Sequence, residues 1–279
     1  MHTIPLWSGI IYGPIRSRRL GRSLGLNASP ISYKLCSFNC VYCQYSWTTV
    51  CTTNTAARLS DFPTPDDFGE ELERALRGLK TIDNITFSGN GEPTLHPQFE
   101  ELVDIAMQLK DEYFPEAGLG VLSNSSTVSV ERVRKALAKL DFRIMKLDAG
   151  DLETFRKINR PCRGVDYGTI LNGLKSLEKV TLQTMFVDGT TQNTGDREVR
   201  EWIKVVGEIQ PMKAQIYSLH RPPAETSLRE VPADRLRGIA ARTGKATGVA
   251  VEAIIAASPY HRRISSGKPN KSTAPYPPY

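Results

Sequence analysis

The sequence lacks any run of the ~18 consecutive apolar residues that a membrane-spanning helix needs. Its N-terminus also lacks the charged, apolar and small-residue segments of a secretory signal peptide. We therefore expect a cytoplasmic protein with no membrane partner. Of its 279 residues, 40% are hydrophobic and 24% are charged, which is the composition of an ordinary globular protein. A chain of this length folds as one or two domains, and α/β barrels often use it as one.

Acidic residues are missing from both ends of the chain. None occurs before Asp61 or after Glu252, although the net charge of the whole chain is only +6. The basic residues ahead of Asp61 are Arg16, Arg18, Arg19, Arg22, Lys34 and Arg58. This imbalance predicts a positive field that either surrounds anionic ligands or receives an anionic substrate. A solvated basic loop is the alternative.

Cysteine is scarce as well, and its odd count of five argues against a disulfide framework. Three of the five form the motif C-x3-C-x2-C at Cys36, Cys40 and Cys43. Thiolates this close together need a cation, and their softness selects zinc, copper(I) or an iron–sulfur cluster. Cys51 would complete a four-ligand zinc site, whereas three ligands on a four-iron cluster leave one iron open to a small molecule. The motif therefore predicts a metal centre, either structural or catalytic.

Strand-like and helix-like patterns alternate along most of the chain. Strands are predicted at residues 23–27, 82–87, 119–122, 142–147, 180–187, 214–219 and 249–255. Helices are predicted between them, starting after Thr64, near Phe99, after Ser129, at residue 167, after Thr194 and at residue 233. Regular alternation predicts a parallel sheet with helical crossovers. We expect an α/β fold, a partial (βα)6 TIM-like barrel with one extra C-terminal strand; an open doubly wound sheet is the alternative.

The same patterns divide the chain into three parts. Residues 1–22 form a basic N-terminal extension, residues 23–257 the barrel, and residues 258–279 a basic tail rich in proline.

Polar residues follow three neighbouring predicted strands, at the edge where parallel α/β folds carry their sites. They are Gly89, Asn90, Gly91 and Glu92 after the second strand, Ser123 and Asn124 after the third, and Lys146 and Asp148 at the end of the fourth. Glycines let a backbone approach a ligand closely, and Glu92 offers an anion to an ammonium group. Asp148 is suited to accept hydrogen bonds from hydroxyl groups, and Lys146 to neutralise a carboxylate. Polar turns and a simple Lys–Asp pair are the alternatives.

The cysteine motif, with Tyr42 directly before its last cysteine, resembles the signature of radical S-adenosylmethionine (SAM) enzymes. Those enzymes are partial six-unit βα barrels with the cysteine loop after the first strand, which is the order found here. The resemblance implies a 4Fe–4S cluster on Cys36, Cys40 and Cys43, with SAM as the second cofactor.

Residues 88–94 resemble the family's Gly-Gly-Glu motif, which binds the methionine amino group, with Asn90 in place of the second glycine. The resemblance also implies that Ser123 and Asn124 contact the methionine carboxylate or the ribose. We expect Tyr42, Lys146 and Asp148 in the same cofactor site.

Within that superfamily, residues 12–27, 88–97, 146–161 and 215–225 resemble the tRNA wyosine-base synthases. This implies tRNA or another anionic substrate, although no cysteine precedes Cys36 to bind the second cluster of the archaeal synthases. The flavodoxin-like domain of the eukaryotic synthase has no counterpart either, so we expect an external one-electron donor of the flavodoxin or ferredoxin type. The same chemistry on a peptide, a protein or a small metabolite is one alternative. A non-catalytic zinc or iron–sulfur binding module is another.

Four further residues carry weaker signals. We expect Cys162 to be structural, with a thiol on the substrate side as the alternative, and Cys51 is spare unless it binds zinc. His220 and Arg221 follow the sixth predicted strand and are expected to face the opening of the site.

Overall fold

The structure of the protein is a computed structural model, which describes residues 3–255. The tail predicted at residues 258–279 lies outside the described residues. The strands are β1 (Ile11–Ser17), β2 (Gly21–Leu26), β3 (Leu35–Cys36), β4 (Val50–Cys51), β5 (Asn84–Phe87), β6 (Gly118–Ser123), β7 (Phe142–Lys146), β8 (Val180–Met185), β9 (Asp188–Gly189), β10 (Lys213–Tyr217), β11 (Leu228–Arg229) and β12 (Val251–Ile254). The helices are α1 (Pro65–Arg77), α2 (Phe99–Tyr113), α3 (Glu131–Lys139), α4 (Leu152–Asn159), α5 (Tyr167–Lys175), α6 (Asp196–Ile209) and α7 (Ala233–Thr247). Short 3-10 turns cover Ala56–Asp61 and Pro93–Leu95.

One eight-stranded sheet forms the centre of the fold, in the order β1-β2-β5-β6-β7-β8-β10-β12. All its neighbours from β2 to β12 pair in parallel, and each parallel step is made through at least one helix. These are six strand–helix units followed by one strand, so the predicted partial barrel with an extra C-terminal strand is confirmed. Because all seven strands run the same way, their carboxyl ends meet at one edge of the sheet.

Helix α1 illustrates how the local sequence determines these elements. The Thr64 hydroxyl accepts a hydrogen bond from the backbone N–H of Asp67 at 3.1 Å, and Pro65 occupies the first turn, where a missing N–H costs nothing. On the inner face of the helix, Phe68 is fully buried and stacks on Phe87 of β5 with 5.8 Å between ring centroids. The hydrophobic period of the helix thus fixes which face packs on the sheet.

Two of the predicted helix caps are wrong. After Ser123 the chain first makes turns, in which the Val130 N–H donates to the Thr127 carbonyl at 2.9 Å, so α3 begins two residues beyond Ser129 and its cap residue is Val130. Helix α6 starts at Asp196 with Gly195 as its cap residue, because the Gly195 carbonyl accepts the first helical bond. The Thr194 side chain therefore caps nothing.

Besides the two-residue strands β3, β4, β9 and β11 and the 3-10 turns, two longer elements were not predicted. Strand β1 pairs antiparallel with β2 and lies within the segment predicted as an extension; its register shifts between Tyr12 and Ile15. The domain boundary at residue 22 stays a prediction. Helix α4 is a short helix that Asp151 caps by accepting from the Thr154 N–H at 2.9 Å.

His96 closes the turn after the Pro93–Leu95 segment and is fully buried. Its Nδ1 accepts from the Gln98 N–H at 3.0 Å, so Nε2, which lies 2.9 Å from the Pro63 carbonyl, carries the proton. Burial lowers the pKa of His96 to about 4, and the nearby Arg132 acts in the same direction.

Between residues 3 and 255, no helix combines the length and the apolar character needed to cross a bilayer.

Candidate functional site

The cysteine loop leaves the carboxyl end of β2 and is held from two sides. Strand β3 pairs in parallel with β4, which places Cys36 opposite Cys51. On the other side, the backbone N–H groups of Asn39 and Val41 donate to carbonyls in the last turn of α4, each at 3.0 Å. These bonds fix the path of the loop between β4 and α4.

Each sulfur of the motif faces its own nitrogen donor. The pairs are Lys34 Nζ and Cys43 Sγ at 3.1 Å, Asn124 Nδ2 and Cys36 Sγ at 3.5 Å, and Asn159 Nδ2 and Cys40 Sγ at 3.4 Å. The donors come from three different parts of the fold: the residues before β3, the end of β6 and the end of α4. Hydrogen bonds from N–H groups favour a sulfur that carries negative charge.

Burial makes the thiols of Cys36 and Cys40 poor acids. It raises the pKa of Cys36, and it raises that of Cys40 to about 11 with the help of the Asp148 and Cys43 charges. Burial opposes the charge of Lys34, but the adjacent Cys43 and Cys36 outweigh it and the pKa of Lys34 is raised. Buried sulfurs surrounded by N–H donors suit thiolates that a bound cation neutralises, so the donor set fits a cysteine-ligated iron–sulfur cluster.

Across residues 3–255, no three His, Cys, Asp or Glu side chains gather closely enough to hold one metal ion. Cys51, the predicted fourth ligand of a zinc site, is exposed and hydrogen-bonded to the thiol of Cys162. The Cys162 N–H in turn donates to the Ser37 carbonyl at 2.9 Å, so this second cysteine pair lies beside the loop.

Glu92 connects the second and third strand ends. It is 2% exposed, and its Oε1 accepts from the Thr94 N–H (3.1 Å), the Thr94 hydroxyl (2.6 Å) and the Ser123 hydroxyl (2.9 Å). Its Oε2 accepts from the Asn124 N–H at 2.5 Å. Burial outweighs these bonds, so the pKa of Glu92 is raised. Oε2 thus accepts one hydrogen bond against three on Oε1, so it is the oxygen of this carboxylate with room for a further donor.

The glycines of the same motif allow close packing of the chain against itself. A Cβ at Gly91 would lie 1.8 Å from the Leu35 carbonyl oxygen of the cysteine loop, and one at Gly89, whose φ is +130°, would lie 2.6 Å from Asn27 Oδ1. Asn90 is fully buried and its side chain exchanges two 2.8 Å hydrogen bonds with the backbone of Trp7. The side chain of Asn90 thus holds the N-terminal segment against the motif.

Asp148 joins the cysteine loop to the ends of β7, β8 and α4. Its side chain has no exposed surface and pairs with Lys146 Nζ at 3.2 Å. It also accepts from the Met185 N–H at 2.8 Å, from Asn159 Nδ2 at 2.7 Å and from the Tyr42 hydroxyl. Because Asn159 also contacts Cys40, Asp148 orients the amide that faces that sulfur.

Lys146 carries the positive charge closest to this carboxylate. Its Nζ donates to the Tyr217 hydroxyl at 3.2 Å and lies 5.0 Å from the centre of the Tyr42 ring. Burial disfavours its charge, but Asp148 and Tyr217 compensate, and its pKa is raised. Lys146 is therefore charged at neutral pH.

Most of the predicted site residues are thus connected by hydrogen bonds at one edge of the sheet. Glu92, Ser123 and Asn124 lead to Cys36, while Tyr42, Lys146 and Asp148 surround Cys40. Lys34 and Asn159 also belong to this site, although they were not among the predicted site residues. A lysine two positions before Cys36 is a usable signal, whereas Asn159 lies 119 positions from Cys40 and carries none.

Comparison with known proteins gives a family match over the same region: the sequence model described as "Radical SAM superfamily" matches residues 31–204. The chain is 32% identical to the "GTPase Obg" of Brachyspira hyodysenteriae over 76% of its own length, and covers 30% of that protein. It is 31% identical to a UPF0026 protein of Methanocaldococcus jannaschii, over 79% of this chain and 66% of the other. The chain therefore spans less than two thirds of both relatives.

Two solved structures share the fold at low sequence identity. TYW1 with a lysine–pyruvate adduct bound superposes with a TM-score of 0.56 at 17% identity, over 80% of this chain and 73% of that one. A radical SAM methyltransferase from Sphaerobacter thermophilus superposes with a TM-score of 0.61 at 15% identity, over 83% and 65%.

Proposed function

The chain belongs to the radical SAM superfamily, a family of enzymes that use a 4Fe–4S cluster and SAM, and we propose that it uses both on an anionic substrate, with tRNA as the first candidate. When bound, the two cofactors would supply radical chemistry: reductive cleavage of SAM, followed by abstraction of a hydrogen atom from the substrate. Cys36, Cys40 and Cys43 would hold the cluster.

The observation that carries the proposal is the set of three nitrogen donors on the three sulfurs. Lys34, Asn124 and Asn159 each face a different cysteine of the motif within 3.5 Å. Such donors tune the potential of thiolate-bound clusters and fix the orientation of their ligands.

The chain's other residues are suited to hold SAM beside the cluster. Glu92 has an acceptor position left on Oε2, which an ammonium group fits, and its carboxylate is already oriented by four hydrogen bonds. Ser123 and Asn124 are positioned by that carboxylate. Lys146 is charged and near Tyr42, so we assign it to a carboxylate, and Asp148 to orienting its neighbours.

The test of the proposal is anaerobic reconstitution with iron and sulfide, followed by dithionite reduction with SAM. We expect a four-iron cluster and 5′-deoxyadenosine in the wild type, and neither in Cys40→Ala. Cys51→Ala is the matched control, since it removes an exposed cysteine outside the motif, and it should keep both. Stoichiometric zinc without a cluster would contradict the proposal.

Two partners belong to the proposal. A separate one-electron donor of the flavodoxin or ferredoxin type would reduce the cluster, and the five free thiols suit the reducing cytoplasm. The basic N-terminal segment supports a polyanionic substrate, which predicts tRNA binding that weakens steeply with salt. Binding that does not depend on salt would contradict the choice of tRNA.

A further inference from the structure

Within the described residues, six buried side-chain atoms have no hydrogen-bond partner: Arg19 Nη1, Asn159 Oδ1, Gln183 Nε2, Thr194 Oγ1, Gln215 Oε1 and His220 Nε2. Buried polar atoms almost always have a hydrogen-bond partner, so each unpaired atom requires an explanation. Three of the six are nitrogens, on Arg19, Gln183 and His220, and the first two of these residues contact Tyr217.

Arg19 and Gln183 both contact Tyr217. The Arg19 guanidinium lies over the Tyr217 ring, 5.2 Å from its centre, and the Tyr217 hydroxyl donates to Gln183 Oε1 at 3.1 Å. Lys146 donates to the same hydroxyl at 3.2 Å. The turn between β1 and β2 thereby reaches the ends of β7, β8 and β10, next to the residues that surround Cys40.

His220 carries the third of these nitrogens and follows Tyr217 closely in sequence. Burial, and then the charges of Arg18, Arg19 and Arg221, lower its pKa to about 4, so the ring is neutral at pH 7. A hydrogen bond from the ring to the backbone of Leu219 acts in the opposite direction. It takes the ring proton on the other nitrogen, so the unpaired Nε2 is an acceptor and His220 is no donor to an anion. In the part of the chain that the structure describes, neither Arg18 nor Arg19 forms an ion pair with a carboxylate.

We propose that Arg19 and Gln183 form a subsite for an anionic group of the substrate, a carboxylate or a phosphate. The inference rests on the function proposed above and names the part of the substrate that the site binds. A guanidinium and a glutamine amide nitrogen offer only hydrogen-bond donors at the unpaired positions. A ligand that satisfies these two donors beside the charges of Arg19 and Lys146 is an oxyanion.

The SAM carboxylate is the competing occupant, because Lys146 lies next to the subsite and is assigned to that group. The two occupants differ in one respect: a substrate subsite stays open when SAM is bound. The test is therefore made on the reconstituted holoenzyme at saturating SAM, by isothermal titration calorimetry with inorganic phosphate and, separately, acetate, at constant ionic strength.

We expect the wild type to bind at least one of the two anions, and the preferred one identifies the substrate group as phosphate or carboxylate. Arg19→Gln should weaken that binding about tenfold or more, because a charge-assisted hydrogen bond is lost. Gln183→Glu is the second variant, which keeps the oxygen that accepts from Tyr217, removes the unpaired donor and keeps the test decisive if Arg19→Gln does not fold. Arg16→Gln is the matched control, an exposed arginine of the same hairpin, and should bind like the wild type.

The inference is overturned if neither anion binds, if both variants bind like the wild type, or if anion binding occurs only without SAM. Its failure can be told apart from failure of the proposed function. Wild-type protein that forms 5′-deoxyadenosine but binds no anion contradicts the subsite alone. A wild type that binds the anion but never cleaves SAM contradicts the proposed function.

Discussion

Replacing Glu92 by glutamine separates its role in the fold from its role toward SAM. The carboxylate is buried and receives three hydrogen bonds on Oε1 and one, from the Asn124 N–H, on Oε2. In Glu92→Gln the amide oxygen can take the position of Oε1, which accepts three hydrogen bonds, and the amide nitrogen then takes the position of Oε2. That nitrogen then faces the Asn124 N–H, so two donors meet where a donor and an acceptor met before.

The size of the effect follows from this count. Three bonds survive and one charge-assisted bond is lost, which costs about 1.5–3 kcal/mol. Glutamine also removes a buried charge whose desolvation raises the pKa of Glu92, and this relief offsets part of the loss. We therefore expect Glu92→Gln to lower the free energy of unfolding by about 1.5 kcal/mol, the lower end of this range. This corresponds to a fall in Tm of about 3–6 °C. SAM affinity should fall at least about tenfold, because the ammonium group loses its charged partner.

Thermal unfolding followed by circular dichroism gives the first quantity, and calorimetric titration of the reconstituted protein with SAM gives the second. Glu101→Gln is the control: an exposed glutamate that accepts one bond from Gln98 at 2.8 Å, where the change should stay within about 0.5 kcal/mol. If Glu92→Gln lowers Tm but leaves SAM affinity within twofold, Glu92 only supports the fold. If Tm does not change, the hydrogen-bond reasoning is wrong.

Three further predictions concern single residues. The folded pKa of His96, about 4, lies below its unfolded value of 6.5, so the unfolded chain binds more protons between these two pH values. The free energy of unfolding is therefore highest above pH 6.5 and falls by about 2 kcal/mol from pH 7 to 5. Urea unfolding at each pH measures this fall, which should be smaller in His96→Gln. Gly91→Ala should prevent cluster loading, measured as iron content, because its Cβ meets the Leu35 carbonyl at 1.8 Å; normal loading would contradict the packing argument. Asn159→Ala should lower the cluster's reduction potential in a spectroscopic titration, because Cys40 loses its N–H donor; an unchanged potential would show that the contact has no electrostatic role.

The sequence predicts the framework because its signals are local. The cap at Thr64 and the helical period after it depend on neighbours a few positions apart, and the structure reproduces them. The caps predicted at Ser129 and Thr194 do not form. A turn precedes α3 at Ser129, and another contact holds the backbone at Thr194 just before α6. At Thr194 the carbonyl accepts from Arg235 at 2.7 Å, a residue 41 positions away that no local pattern indicates.

The glycine motif shows a second limit. From sequence, Gly89 and Gly91 are interpreted as allowing the backbone to approach a ligand. In the fold, each of them first allows a close approach within the chain, to Asn27 and to the Leu35 carbonyl. A residue type fixes what the backbone can do, but which partner comes close depends on the tertiary structure.

The cysteine motif alone determines where three sulfurs lie in one loop, not the electrostatics around them. Asn124 reaches Cys36 across 88 positions and Asn159 reaches Cys40 across 119, because the end of β6 and the end of α4 both lie beside the cysteine loop. Asp148 then holds Asn159 at 2.7 Å, so a change at Asp148 alters the field at Cys40 without touching it. A chain with the same motif but other residues at 124, 148 and 159 would therefore hold the same kind of cluster at a different potential. The motif indicates the type of cluster, and the residues that the parallel sheet places around the sulfurs determine its reduction potential.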